Sequence, residues 1–134
     1  MLVTPSSQRM ATVLIVEDHV RTREVIRDWL GFAFPALKLL EAHDGEEALR
    51  LVAEHRPEIV LMDVEMPGMK GIEATRRVKL AAPHTQVVVL SIYSAPEYQS
   101  AAIAAGAIGY VPKNIMHLEL VPLLRSLLGN SATP

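Results

Sequence analysis

The chain has 134 residues, half of them apolar and 21% charged, with a formal charge of −2 at pH 7 and no cysteine. That length and apolar share suit one domain with a sizeable core. The charge balance excludes a global basic field for nucleic acid or anionic lipid. The lack of thiols excludes disulfides and thiolate metal sites and fits a reducing compartment.

No apolar run approaches the roughly 18 residues of a membrane span. The opening "MLVTPSSQRM" lacks the apolar stretch of a secretory signal. Residues 1–10 read as a disordered lead, with Met10 an alternative start. Residues 11–129 then form one cytoplasmic domain, and 130–134 a frayed tail.

"TVLIV" (12–16) is a continuous apolar run bounded by charge, the pattern of a strand buried on both faces. In "HVRTREVIRDWLGF", Val25, Ile26, Trp29 and Leu30 form a helical stripe that Gly31 is expected to end. "ALKLLEA" (36–42) is a second strand. Asp44 with Glu47 makes a capping-box pattern for a helix running to about Glu54. "EIVLM" (58–62) is a third strand, and "KGIEATRRVKLAA" a helix closed by Pro83. "QVVVLS" (86–91) is the fourth strand and "APEYQSAAIAAG" an Ala-rich helix stopped at Gly106. "IGYV" (108–111) is a short fifth strand. In "LELVPLLRSLLG" the stripe is Leu120, Val121, Leu124, Leu127 and Leu128. Pro122 has no amide to give, so this helix is expected to begin near Leu118 or Glu119.

Strands alternating with helices over short connections imply a parallel sheet covered on both faces, with ligands at the C-terminal strand ends. Those ends carry Glu17 and Asp18, Asp63, Ser91 and Lys113. Three carboxylates, a hydroxyl and an ammonium are expected to share one acidic pocket. Carboxylates held close together need a proton or a cation. Mg²⁺ (or Mn²⁺) suits an all-oxygen donor set, and no histidine pair sits at ligand spacing. His19, His43, His55, His84 and His117 are scattered and expected at the surface. Asp63 would be a phosphoryl-accepting nucleophile, with Lys113 and the cation neutralising phosphoryl oxygens and Ser91 donating a hydrogen bond.

"VEDH" (16–19), "LMDVEMPGMKG" (61–71), "VLS" (89–91) and "AGAIGYVPK" (105–113) occur here in order. Across about residues 11–129 the sequence resembles the receiver domain of bacterial two-component response regulators. It is most like the NarL/FixJ branch, whose members carry a LuxR-type helix-turn-helix after the receiver. The resemblance implies a flavodoxin-like, doubly wound, five-stranded parallel sheet in the order 2-1-3-4-5 with five helices. It makes Asp63 the phosphoacceptor, Glu17 and Asp18 the acidic pair, and the Glu65 carbonyl a backbone metal ligand. Ser91 becomes the switch hydroxyl, Tyr110 the switch aromatic and Lys113 the family lysine. Tyr93 is a candidate for controlling access of water. The implied partner is a sensor histidine kinase or phosphotransfer protein, with homodimerisation on phosphorylation. The chain acts as a switch, not a dedicated enzyme, and no nucleic-acid contact is encoded in this domain.

Glu17 replaces the commoner aspartate and is expected to reach the metal through water. Lys70 stands where the family usually has aspartate and brings a cation near the site. Asn114 follows Lys113 where many relatives have a cis-proline; a trans bond is expected, since cis before a non-proline costs about 2.5–4 kcal/mol. A phosphorylation-independent pseudo-receiver module is the main alternative. A metal-dependent phosphatase and a nucleotide- or flavin-binding module are weaker ones: "EDHVRTRE" offers acids where a phosphate-binding loop offers glycines. A stand-alone receiver and one cut from a longer regulator both remain open.

Overall fold

The computed structural model describes residues 11–129. The lead at 1–10 and the tail at 130–134 lie outside the described residues. In chain order the elements are β1 (Thr12–Val16), α1 (Val20–Ala33), β2 (Lys38–Ala42), α2 (Gly45–His55) and β3 (Ile59–Asp63). There follow α3 (Gly71–Ala81), β4 (Gln86–Ser91), α4 (Pro96–Ala104), β5 (Gly109–Pro112), a 3₁₀ turn (Lys113–Ile115) and α5 (Met116–Leu128). All strand pairs are parallel and the order is β2-β1-β3-β4-β5, the expected flavodoxin-like arrangement.

The central strands are apolar throughout because both of their faces are covered. Leu14, Val16, Val60, Met62, Val87 and Val89 pack under α2, α3 and α4. Their neighbours Val13, Ile15, Ile59, Leu61, Val88 and Leu90 pack under α1 and α5. This two-residue alternation leaves each strand with nothing polar to place until its C-terminal end. The chain moves from β1 to one side for β2 and to the other for β3, so a crevice opens between β1 and β3 at that end.

Some boundaries differ from expectation. Gly31 does not end α1: it is exposed, and the helix runs on to Ala33 because Phe34, 6% exposed, is drawn into the core beneath the Arg125 guanidinium, 4.9 Å from its ring centroid. β2 begins at Lys38 and not at Ala36, because the Leu37 N–H turns back to the Phe34 carbonyl at 3.0 Å. α5 starts at Met116 rather than Leu118, with Pro122 inside it. The buried Met116 side chain anchors the first turn, and Pro122 and Leu118 are both exposed. The missing hydrogen bond therefore falls on a carbonyl facing water, where its cost is small.

Other expectations hold. Glu47 N donates to Asp44 Oδ1 at 2.8 Å, completing the helix cap, and Gly106 takes φ +110° just past α4. The five histidines are exposed, and the bond before Asn114 is trans. Among the described residues no helix is long and apolar enough to cross a membrane.

Candidate functional site

Each side chain at the crevice is placed by the end of a strand. The Glu17 N–H makes the last ladder bond, to the Ala42 carbonyl at 3.0 Å, and the chain then turns into α1 through Asp18 and His19. Asp63 closes β3, in register with Leu90 of β4. Lys113 opens the 3₁₀ turn after β5. Parallel pairing therefore brings residues 17, 63 and 113 to one edge although they are far apart in sequence.

Lys113 Nζ lies 2.7 Å from Glu17 Oε1 and 2.9 Å from Asp63 Oδ1. Both carboxylates are buried, Glu17 2% and Asp63 3% exposed. Burial pushes the Asp63 carboxyl up to about 6; Glu17 adds to the shift and Lys113 opposes it. Burial works against the Lys113 ammonium, but the carboxylates of Glu17 and Asp63 more than offset this and hold its pKa above the usual lysine value. An open depression of about 310 Å³ lies over the group, lined by Glu17, Asp18, Asp63, Glu65 and Lys113 with His19, Thr22 and Ile92.

The three acids line one pocket without converging on one point. Among the described residues, the His, Asp and Glu ligand atoms that come within 4.8 Å of one another in a set of three belong to His43, Asp44 and Glu47. Asp18 is exposed at the rim. Both oxygens of Glu17 are engaged, Oε1 by Lys113 and Oε2 by the His19 N–H at 3.0 Å. The donor set is nonetheless all oxygen, and a buried carboxyl pushed up to about 6 is one that a hard cation would restore to its ionised form. The residues present fit Mg²⁺.

The remaining expected residues form a second group beside the first. Ser91 is fully buried and its Oγ accepts the Tyr93 N–H at 2.9 Å. The Tyr110 hydroxyl donates to the Tyr93 carbonyl. The Tyr93 ring stacks on Tyr98, centroids 4.4 Å apart. Burial raises the pKa of the Tyr93 phenol, and the nearby Glu65 carboxylate adds to the shift. Glu65 Oε1 in turn lies 3.5 Å from Lys70 Nζ, so the unusual cation at position 70 sits at the pocket rim.

Gly71 escaped the reading of the sequence as a site residue. A Cβ there would lie 2.0 Å from the Asp63 carbonyl oxygen. Its signal was a glycine at the first position of a helix, which is also read as ordinary punctuation.

The raised Asp63 pKa gives a stability prediction. Its folded value of about 6 exceeds the unfolded 3.8, so the folded state binds this proton more tightly. The ionised carboxylate therefore destabilises the metal-free fold above about pH 6, and the penalty fades as pH falls from 6 towards 4. Asp63→Asn is expected to stabilise the protein in EDTA at pH 8 by about 1–2 kcal/mol, after discounting for solvent screening at the open pocket. The gain should fall to about a third of that at pH 4.5 in urea titrations; a gain independent of pH would contradict it.

The family model of the response regulator receiver domain matches residues 13–125. The response regulator GacA of Pseudomonas aeruginosa is 36% identical over 118 residues, covering 88% of this chain and 55% of its own length. The chain spans about half the length of the curated relatives it matches. A two-component response regulator of the LuxR family from Aurantimonas sp. superposes with TM-score 0.83 at 34% identity, covering 90% of this chain and 86% of that one. The receiver domain of the putative response regulator NarL from Mycobacterium tuberculosis gives 0.81 at 29% identity, covering 90% and 98%. These two structures belong to the LuxR-type and NarL regulators that the sequence was expected to resemble most. The match runs from the first strand into the last helix and encloses every side chain that meets in the pocket: the chain belongs to the family of response regulator receiver domains.

Proposed function

We propose that the chain is a phosphorylation-controlled switch in which Asp63 accepts a phosphoryl group from a cytoplasmic sensor histidine kinase or phosphotransfer protein. The observation that carries this reading is the buried Asp63 carboxylate held by Lys113 at the floor of an open, acid-lined pocket. Asp63 Oδ1 takes Lys113 and, at 3.4 Å, the Glu65 N–H, which leaves Oδ2 as the attacking oxygen. Oδ2 bonds to phosphorus as the donor's phosphorus–nitrogen bond breaks, and the released imidazole keeps that electron pair and takes a proton from water. Lys113 then neutralises a phosphoryl oxygen, and Tyr93 with Glu65 screens the rim from water. Asp18, Asp63, the Glu65 carbonyl and, less directly, Glu17 would hold Mg²⁺, which supplies charge neutralisation for the phosphoryl oxygens.

The Ser91 hydroxyl accepts from Tyr93 but has its own proton to give. A phosphoryl group on Asp63 would draw that proton, loosen the 91–93 turn and disturb the Tyr110 bond to the same turn. Tyr110 also lines a depression of about 390 Å³ with Leu118, Pro122 and Leu123, on the side of β5 and α5. Change there would be read by an output domain, a partner protein or a second copy. To move the population from mostly inactive to mostly active, phosphorylation must favour the active state by about 5 kcal/mol.

With Mg²⁺ and acetyl phosphate, the wild type is expected to gain one acid-stable, base-labile phosphoryl group by intact-mass measurement. Beryllofluoride should shift amide resonances at residues 91–93 and 110. Asp63→Asn should do neither. A silent wild type would leave the phosphorylation-independent module as the surviving reading.

A further inference from the structure

Two acids of the pocket, Glu17 and Asp18, sit on a turn that has lost its sheet partners, and one arginine outside the pocket holds that turn. After the Glu17 N–H closes the ladder, the Glu17 carbonyl belongs to a residue only 2% exposed. A buried carbonyl with no partner is costly. Arg23, one turn into α1, donates to it through a terminal guanidinium nitrogen at 2.7 Å. The Nε of the same side chain donates to Glu41 Oε1 at 2.9 Å. Glu41 lies on β2 in register with Ile15 of β1, and Arg27 holds its other oxygen at 3.2 Å. The guanidinium is thus a planar fork with one tine on the sheet and one on the turn.

We infer that Arg23, braced by Glu41, is a positioning residue that sets the Glu17–Asp18 peptide for cation binding. The peptide unit is rigid, so fixing the Glu17 carbonyl fixes where the Asp18 Cα departs from it. The Arg23 N–H also donates to the His19 carbonyl at 2.9 Å, so one residue ties down both ends of the 17–19 turn. The inference rests on the reading of this pocket as a cation-dependent phosphoacceptor site.

Charge and positioning predict opposite signs. Removing a positive charge close to a cation site strengthens cation binding by Coulomb's law. Loosening the turn weakens it. Titration calorimetry with Mg²⁺ alone on the full chain is expected to show Arg23→Gln binding about tenfold more weakly than wild type, the usual scale for groups that orient metal ligands. Beryllofluoride response at saturating Mg²⁺ should be retained. Arg23→Lys keeps the charge and one hydrogen bond, and should recover part of the affinity. Arg23→Lys loses the planar fork at unchanged charge, so weaker binding than wild type in that variant reports positioning alone and decides the matter if Arg23→Gln does not fold. Unchanged or tighter Mg²⁺ binding in Arg23→Gln, or in Arg23→Lys in that case, makes Arg23 a strut of the fold and overturns the inference. A wild type that binds no Mg²⁺ overturns the function reading and this inference together.

Discussion

Gly71→Ala is expected to destabilise the protein by about 4 kcal/mol or more, and to disable Asp63 in whatever fraction still folds. The added methyl would sit 2.0 Å from the Asp63 carbonyl oxygen, 2.8 Å from its carbonyl carbon and 2.8 Å from the Val64 Cα. All three are backbone atoms at the end of a central strand, and no side chain there can swing aside. The Gly71 N–H also donates to the Val64 carbonyl at 2.9 Å, so the start of α3 cannot back away without losing that bond. Two other glycines are controls. At Gly45 the three atoms nearest a Cβ are Met69 Cβ, Sδ and Cγ at 3.1–3.3 Å; the thioether can swing and the Met69 Cβ must give by a few tenths of an ångström, so the expected cost is about 1–2 kcal/mol. At Gly31 nothing lies within 4 Å on an exposed helix turn, and alanine is expected to stabilise by about 0.5–1 kcal/mol. Denaturant titrations of the three variants should fall in that order. Gly71→Ala no worse than Gly45→Ala would mean that α3 does not press on the backbone of Asp63.

Residue type revealed much of this site before any coordinates. Strands buried on both faces leave uninterrupted apolar runs, so Asp63 stood out as the charge ending "IVLMD", and Glu17 likewise after "TVLIV". Parallel topology then brought those ends to one edge. Less legible were features decided by contacts between distant segments. Nothing local to Lys113 says that its ammonium bridges residue 17, or that Asp18 stands apart from the other two acids. The threefold engagement of Tyr93, through its N–H, carbonyl and ring, joins β4, α4 and β5 and has no signature in "SIYSAPEY". The two helix-boundary errors share one cause. Gly31 carries a local stop signal and Pro122 a local start signal, yet burial of Phe34 and Met116 outweighs them at exposed positions where overriding a signal is cheap.

Lys113→Ala is expected to act in the opposite direction to Asp63→Asn in metal-free protein. Without the ammonium, two buried carboxylates face each other with no cation between them. Removing one partner of a fully buried pair costs about 3–5 kcal/mol; here about 2–3 kcal/mol is expected, because the lysine side chain is 17% exposed and solvent reaches the pocket. Lys113 opposes the rise of the Asp63 pKa, so its loss carries that pKa above about 6. The variant's deficit should then be largest at pH 8 and shrink as acid protonates Asp63, since a group with a raised folded pKa weakens the fold only once it ionises. Mg²⁺ should restore more stability to Lys113→Ala than to the wild type, because it replaces a missing charge as well as binding the folded state. Adding Asp63→Asn should likewise recover most of the loss, giving a double variant far from the sum of the singles. The phosphoryl chemistry should not recover with either rescue: Mg²⁺ leaves phosphoryl oxygens without their ammonium, and asparagine has no nucleophile. A Lys113→Ala protein as stable as wild type in EDTA at pH 8 would mean that Glu17 and Asp63 do not feel one another.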